Sequence, residues 1–326
     1  MKKVLIAILL LGLLPHASAD YIHRVDFRLS APVLRSALEL DMASQGGEQP
    51  LDWIDILALA AAWRGGTGVT VADTQRAAQI LRGDTPPERL PGMAGRCFSY
   101  YRAAYGAALG GLVGHFAIRR TDPQTGEAEW IPAYGLKAFS PIAAGYPWSH
   151  YPDFGAQRSY GYARPHLGND ILGALGTPIC AVEGGTVEAL GWNRYGGWRI
   201  GIRSDDRKRY YYYAHLRKDT PYAEGLAVGQ RVQAGEVIGF MGRTGYSAQE
   251  NVNNIETVHL HFGLQLIFDE SQKECDSEIW IDVYPIIELL ASHCSSVARD
   301  PQTGRWERLY PYCDLDAEPL RSAAAR

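Results

Sequence analysis

Three short histidine motifs between residues 166 and 261 constrain this chain more than anything else in it. They are His166-Leu167-Gly168-Asn169-Asp170, Tyr213-Ala214-His215-Leu216 and Val258-His259-Leu260-His261-Phe262, and they hold four of its nine histidines. Side chains alternate faces along a strand, so His259 and His261 point one way while Leu260 and Phe262 point the other. Both imidazoles therefore reach one site. On an apolar strand that arrangement costs burial energy unless a metal or hydrogen bonds compensate. Two imidazoles and a carboxylate can hold a divalent metal and leave a coordination position for water, which is a catalytic rather than a structural pattern. The His166/Asp170 spacing taken alone recurs by chance, and the isolated His23, His115, His150 and His293 read as surface or satisfied core residues.

At 326 residues the chain is too long for one small domain and is expected to form two. Apolar residues make up 46% and charged ones 21%, the composition of an ordinary globular protein. A net charge of -4 offers no basic footprint for nucleic acid, and no nucleic-acid module is present.

The fold class expected is α+β. Residues 20–133 read as a helical accessory domain. Ser30 and Pro32 open one helix, residues 52–63 make a second that ends at Gly65-Gly66, residues 70–81 a third and residues 98–112 a fourth. Its tyrosines, Tyr101 and Tyr105 among them, are core residues on this reading. Residues 134–165 form an aromatic lead-in, too rich in Tyr, Trp and Phe for a flexible linker and expected to pack near the site. From Asp170 on, short β-rich runs alternate with Gly-Gly and Asp-Asp turns: 178–182, 186–190, 198–202, 209–214, a hairpin of 228–232 with 236–239, and a long strand at 258–268. They imply a mainly antiparallel sandwich or open barrel over residues 134–290, with 291–326 as a C-terminal extension. Residues 279–290 read as a helix. Tyr211 and Tyr213 are expected on the face of His215, where they would line a groove.

Residues 1–19 have the layout of a cleaved export signal: Lys2 and Lys3, an apolar run over 4–14, then Ala17-Ser18-Ala19 before Asp20. The apolar run is shorter than the ~20 residues that span a bilayer. The protein is thus expected outside the cytoplasm, and at the membrane only if the segment stays uncleaved. Five cysteines, Cys97, Cys180, Cys275, Cys294 and Cys313, form no CxxC pair. They read as buried thiols or as one late disulfide among the last three.

The ordered motifs resemble those of the lysostaphin-type (LytM-like) zinc peptidases, which cut the peptides of bacterial peptidoglycan. The resemblance rests on the three histidine motifs together with GTPICAVEGGTV at 176–187 and VGQRVQAG at 228–235, and covers roughly residues 134–270. It implies one Zn²⁺ held by His166, Asp170 and His261, with His215 and His259 as non-ligand catalytic histidines. Tyr160 or Tyr162 matches a tyrosine that takes part in some members. The implied activity is a metalloendopeptidase of the cell wall, and the implied partner a peptidoglycan peptide. With no His-Glu-x-x-His helix to supply a glutamate base, one of His215 and His259 would take a proton from water and the other donate to the oxyanion or leaving amine. Two departures stand out: the loop 246–258 is longer than usual, and Gly263 stands where an acidic residue is common. An inactive wall-binding scaffold of the same fold, and a non-haem iron oxygenase built on the same two-His-one-carboxylate set, are the alternatives. Every residue with a chemical role lies at or after Tyr160, so the catalytic part is expected to be self-sufficient from about Tyr134.

Overall fold

The computed structural model describes residues 22–273 and 277–317. The export signal at 1–19, Cys275 and the end of the C-terminal extension lie outside the described residues. Within them, no helix is long and apolar enough to cross a membrane.

Four helices come first: α1 (Ala31–Ser44), α2 (Trp53–Arg64), α3 (Val71–Leu81) and α4 (Met93–Leu109). Pro32 sits in the first turn of α1, whereas the Ser30 side chain makes no capping bond. Asp52 caps α2 by accepting from Ile54 N at 2.7 Å, and Gly65 ends it at φ 63, a left-handed position that suits glycine. Thr70 and Asp73 form a capping box on α3, and Asp73 also takes two bonds from Arg64. Helix α2 is buried along nearly its whole length, from Trp53 to Ala62, and is the centre of this part. The buried Asp41 carboxylate accepts from Trp53 N, Gln45 Nε2 and Tyr134 Oη, tying α1 to α2 and to the strand that carries Tyr134.

The helices stop at Leu109, earlier than expected. Residues beyond it form the antiparallel hairpin β1 (Val113–Thr121) and β2 (Ala128–Leu136), so residue 134 falls inside a strand. Then follow β3 (Trp148–His150), β4 (Gln157–Arg158), β5 (Arg164–Pro165), β6 (Asn169–Gly173), β7 (Pro178–Cys180), β8 (Gly185–Asn193), β9 (Gly197–Ser204) and β10 (Arg209–Ala214). After these come β11 (Arg231–Val232), β12 (Val237–Phe240), β13 (His259–Leu266), β14 (Ile279–Ile281), α5 (Tyr284–Leu290), β15 (Val297–Arg299), β16 (Trp306–Arg308) and β17 (Tyr312–Asp314).

The main sheet is antiparallel in the order β11-β8-β9-β10-β13-β6-β3, with β14 beside β13. The expected hairpin across Ala234-Gly235 does not form: β11 pairs with β8, and β12 pairs with β7. Residues 279–290 divide into β14 and α5, because the Asp282 carboxylate caps Tyr284 N and Pro285 starts the helix only there. The C-terminal extension returns to the start of the fold, β17 pairing with β1 while Asp314 and Asp316 hold Lys137. Cys97, Cys180 and Cys294 are free thiols, so the expected late disulfide does not involve Cys294.

One face of the main sheet is core. Ile171, Val187, Ile200, Ile202, Tyr211, Tyr213, Leu260, Phe262 and Leu264 are all buried there, and one contiguous apolar cluster runs from them into α1, α2 and α4. At the junction the buried Arg209 pairs with Glu183 and donates from Nη1 to the Ala107 carbonyl at the end of α4. Tyr211 Oη donates to the same Glu183 carboxylate at 2.6 Å. The opposite face of the sheet carries the site.

Candidate active site

On that second face β6 lies beside β13 with Asp170 opposite His261, and β13 lies beside β10 with His261 opposite Ala214. His166, just before β6, brings its ring to the same point. His166 Nε2 is 2.7 Å from His261 Nδ1 and 2.9 Å from Asp170 Oδ1, and His261 Nδ1 is 3.3 Å from that oxygen. Among the described residues these three form a convergent group of possible metal ligands. Donors bound tetrahedrally to zinc at 2.0–2.1 Å stand about 3.3 Å apart. The set fits such an ion with little movement. Gly168 makes the approach possible, since a Cβ there would come within 2.8 Å of the His261 ring.

Neighbouring residues fix these ligands. His166 Nδ1 faces the Asp153 carbonyl oxygen at 3.1 Å and its carboxylate at 3.2 Å, so Nδ1 is held as a donor to Asp153 and Nε2 is the nitrogen that faces the metal position. Asn169 donates from Nδ2 to Asp153 Oδ1, and His150, packed on Tyr284, holds Asn169 Oδ1 at 2.7 Å. Arg158 Nη2 bridges Asp153 Oδ2 and Asp170 Oδ2 at 3.0 and 2.8 Å. Burial alone would lower the His166 pKa, but the hydrogen bonds and charges of Asp153 and Asp170 outweigh it and raise the value to about 9. Burial likewise opposes ionisation of Asp170, yet His166 and His261 hold its carboxyl well below the usual carboxylate range. Without a metal His166 therefore keeps its proton near neutral pH, and a bound cation would take that proton's place between the ring and Asp170.

His215 and His259 stand beside the three possible ligands. Their rings are 4.8 Å apart, and the His215 ring is 5.9 Å from that of His261. His215 Nδ1 is 2.9 Å from the Thr244 carbonyl oxygen and His259 Nδ1 is 2.9 Å from that of Thr257. A carbonyl only accepts, so each ring donates from Nδ1 and keeps Nε2 as an open acceptor. Burial, with repulsion from His259 and His261, pushes the His215 pKa well below its ordinary value, so the ring is neutral near neutral pH. His259 Nε2 lies 3.7 Å from Asp170 Oδ1, outside the ligand group.

The expected alternation past Tyr213 fails at one residue. His215 has φ 61, a left-handed turn that returns its ring to the face of Ala214 and Tyr212. Tyr211 and Tyr213 are therefore core residues. Tyr212 and Tyr210 line the groove instead, the Tyr212 ring lying 5.8 Å from His261 and 6.1 Å from Trp280. Trp280 also accounts for Gly263: a Cβ on this glycine would meet the indole at 2.8 Å and the Leu167 carbonyl at 2.9 Å, so no acidic side chain fits there.

At the other end Tyr246, the first residue of the long loop, meets the His215 ring at 5.8 Å and stacks on Tyr160 at 4.6 Å. Tyr160 thus reaches the site through Tyr246, while Tyr162 is largely exposed. The loop itself is pinned by Asn251, which accepts from Trp198 Nε1 and Asp219 N and donates to Asp219 Oδ1. Asp153, Arg158, Tyr212 and Trp280 were not among the expected site residues. The aromatic lead-in signalled that its segment packs here, but no spacing marked Asp153 or Arg158 within it.

Residues 164–274 match the model of peptidase family M23. The L-Ala--D-Glu endopeptidase of Bacillus subtilis (strain 168) is 35% identical over 177 residues, which make up 51% of this chain and 52% of that protein. Lysostaphin of Staphylococcus simulans is 37% identical over 98 residues, 30% of this chain and 17% of lysostaphin. The solved catalytic domain of the same lysostaphin is 31% identical, with 44% of this chain and 92% of that domain covered and a TM-score of 0.32. This chain therefore spans about half the length of the first relative and under a fifth of the second. Its histidine motifs lie inside the residues that match, so residues 164–274 of this chain carry a peptidase M23 domain.

Proposed function

We propose that the protein is a zinc-dependent endopeptidase that hydrolyses peptides of bacterial peptidoglycan and works outside the cytoplasm. The observation that carries this reading is the meeting of three possible ligand atoms, on His166, Asp170 and His261, with two further imidazoles whose Nδ1 atoms face backbone carbonyls. Similarity to proteins named L-Ala--D-Glu endopeptidase and peptidoglycan DD-endopeptidase supports the substrate, and the export-signal pattern at 1–19 supports the location.

Zinc, when bound, supplies Lewis acidity that polarises a peptide carbonyl and acidifies water. His166, Asp170 and His261 would hold it. Neutral His215, with Nε2 free, can take a proton at that atom. His259, fixed the same way, has its Nε2 3.7 Å from Asp170 Oδ1, beside the metal position, where it can return a proton to the leaving amine or steady developing negative charge. Tyr246 packs on the His215 ring and Tyr212 on the His261 ring, lining the groove beside the site. The test is zinc content by elemental analysis of the full chain together with mass spectrometry of peptidoglycan stem peptides after incubation. One zinc per chain and new peptide termini are expected. A zinc-loaded protein that leaves every such peptide intact overturns the reading.

A further inference from the structure

The groove continues from the metal ligands across the main sheet toward β9, and there it contains a cation with an unmet hydrogen bond. Strand register places Tyr213 opposite Ile200, so one step further Arg199 lies beside Ala214, which is itself opposite His261. Arg199 and His261 are thus two interstrand spacings apart, about 10 Å, with only the small Ala214 between them. Both line the same cavity of about 300 Å³.

Arg199 Nε is buried and has no hydrogen-bond partner among the described residues. Its neighbours on the sheet are satisfied. Arg203, on the same face of the same strand, pairs with Glu188 and Glu270. The other cations of the groove are also engaged: Arg158 with Asp153 and Asp170, Lys273 with Glu188, and Arg164 with the Tyr160 carbonyl and the Tyr195 ring. The groove carboxylate Glu278 is held by Trp280 Nε1. Arg199 lines the cavity and, among the described residues, no carboxylate pairs with it, so a planar anion entering the groove would supply the partner its guanidinium lacks.

We propose that Arg199 is a specificity residue that binds a carboxylate of the substrate, so that the enzyme prefers anionic peptides. An extended peptide advances about 3.3 Å per residue, so the recognised carboxylate belongs to the residue at, or one or two positions from, the scissile bond. The inference rests on the endopeptidase reading and names the substrate class for that same groove.

The test uses two stem peptides that differ in one group, the carboxylate nearest the scissile bond being free in one and amidated in the other. Uncleavable analogues with a reduced peptide bond are compared in parallel by calorimetry. The zinc-loaded full chain should bind and cleave the free acid about 10- to 100-fold better than the amide. Arg199→Gln should lose most of that preference, its fall in kcat/KM being much larger for the free acid than for the amide, and Arg199→Lys should keep part of it. A wild-type protein indifferent to the carboxylate, or an Arg199→Gln variant that keeps the full preference or weakens both peptides equally, overturns the assignment. If the analogues are discriminated through Arg199 but neither peptide is cut, the carboxylate site stands and the endopeptidase reading falls.

Discussion

Arg209 Nη1 donates to the carbonyl oxygen of Ala107 at 2.8 Å, a buried bond from the main sheet into the last turn of α4. It joins the helical part to the sheet through a charged group that is also paired with Glu183. Replacing Arg209 with Met leaves the Glu183 carboxylate buried without its partner and should cost about 3–5 kcal/mol in urea unfolding. The double change with Glu183→Gln should recover part of that loss. A chain begun at Tyr134 would cut β2 in its middle and uncover the same arginine. It should unfold at lower urea than the full chain, although all the proposed ligands remain in it.

Removing metal ligands and removing proton carriers should give different signatures. His166→Ala, Asp170→Ala and His261→Ala should each retain far less zinc by elemental analysis. His215→Ala and His259→Ala should keep the metal and lose about 10²- to 10⁴-fold in hydrolysis, the double variant being little worse than either alone. Loss of zinc in His259→Ala would exchange the roles of the two strand histidines.

Much of this site was legible because strand alternation is a local rule. His259 and His261 had to share a face, and β13 obeys that rule over its whole length. The rule misled at His215, where a single left-handed residue reverses the face and exchanges Tyr211 and Tyr213 for Tyr212. Pairing between distant segments was harder still. Nothing in 228–239 shows that β11 and β12 turn away from each other to different partners, since both options bury the same apolar residues. Trp280 was hidden for a related reason: three residues of strand carry too little periodicity to be told from the start of α5. Asp153 and Arg158 act through hydrogen bonds set by the tertiary fold, and their positions in the sequence carry no signal of it.

Asp153 orients the proposed ligand His166, and its effect should appear in metal affinity. Asp153→Asn keeps the size of the side chain but replaces one carboxylate acceptor, weakening the hold on His166 Nδ1 and on Arg158. Zinc affinity, measured by competition with a chromophoric chelator, should fall about 10- to 100-fold with the fold retained. Unchanged affinity would mean that the Asp153 carbonyl oxygen, 3.1 Å from His166 Nδ1, orients the ring by itself.

His293 makes stability depend on pH well away from the metal position. Its ring stacks on Phe139 at 4.6 Å, and Nδ1 donates to the Ala138 carbonyl at 2.6 Å. Burial lowers its pKa, the Ala138 bond raises it somewhat, and the nearby Arg308 lowers it again, for a net decrease. The folded protein therefore keeps His293 neutral at a pH where the unfolded chain, with an ordinary value near 6.5, takes up a proton. The unfolded state binds more protons in that window, so stability rises with pH through it. The contribution is complete above about pH 6.5 and is lost as pH falls toward the lowered folded value, at a rate of at most about 1.4 kcal/mol per pH unit. Urea unfolding of the wild type and of His293→Gln, whose amide can still donate to Ala138, should be compared at pH 7.5 and about 5.5. Other histidines titrate over the same range in both proteins, His215 and His261 depressed and His166 raised, so the readout is the difference between them: on acidification the variant should lose less, or gain more, than the wild type. An equal loss in the two would show that His293 already carries its proton in the folded protein.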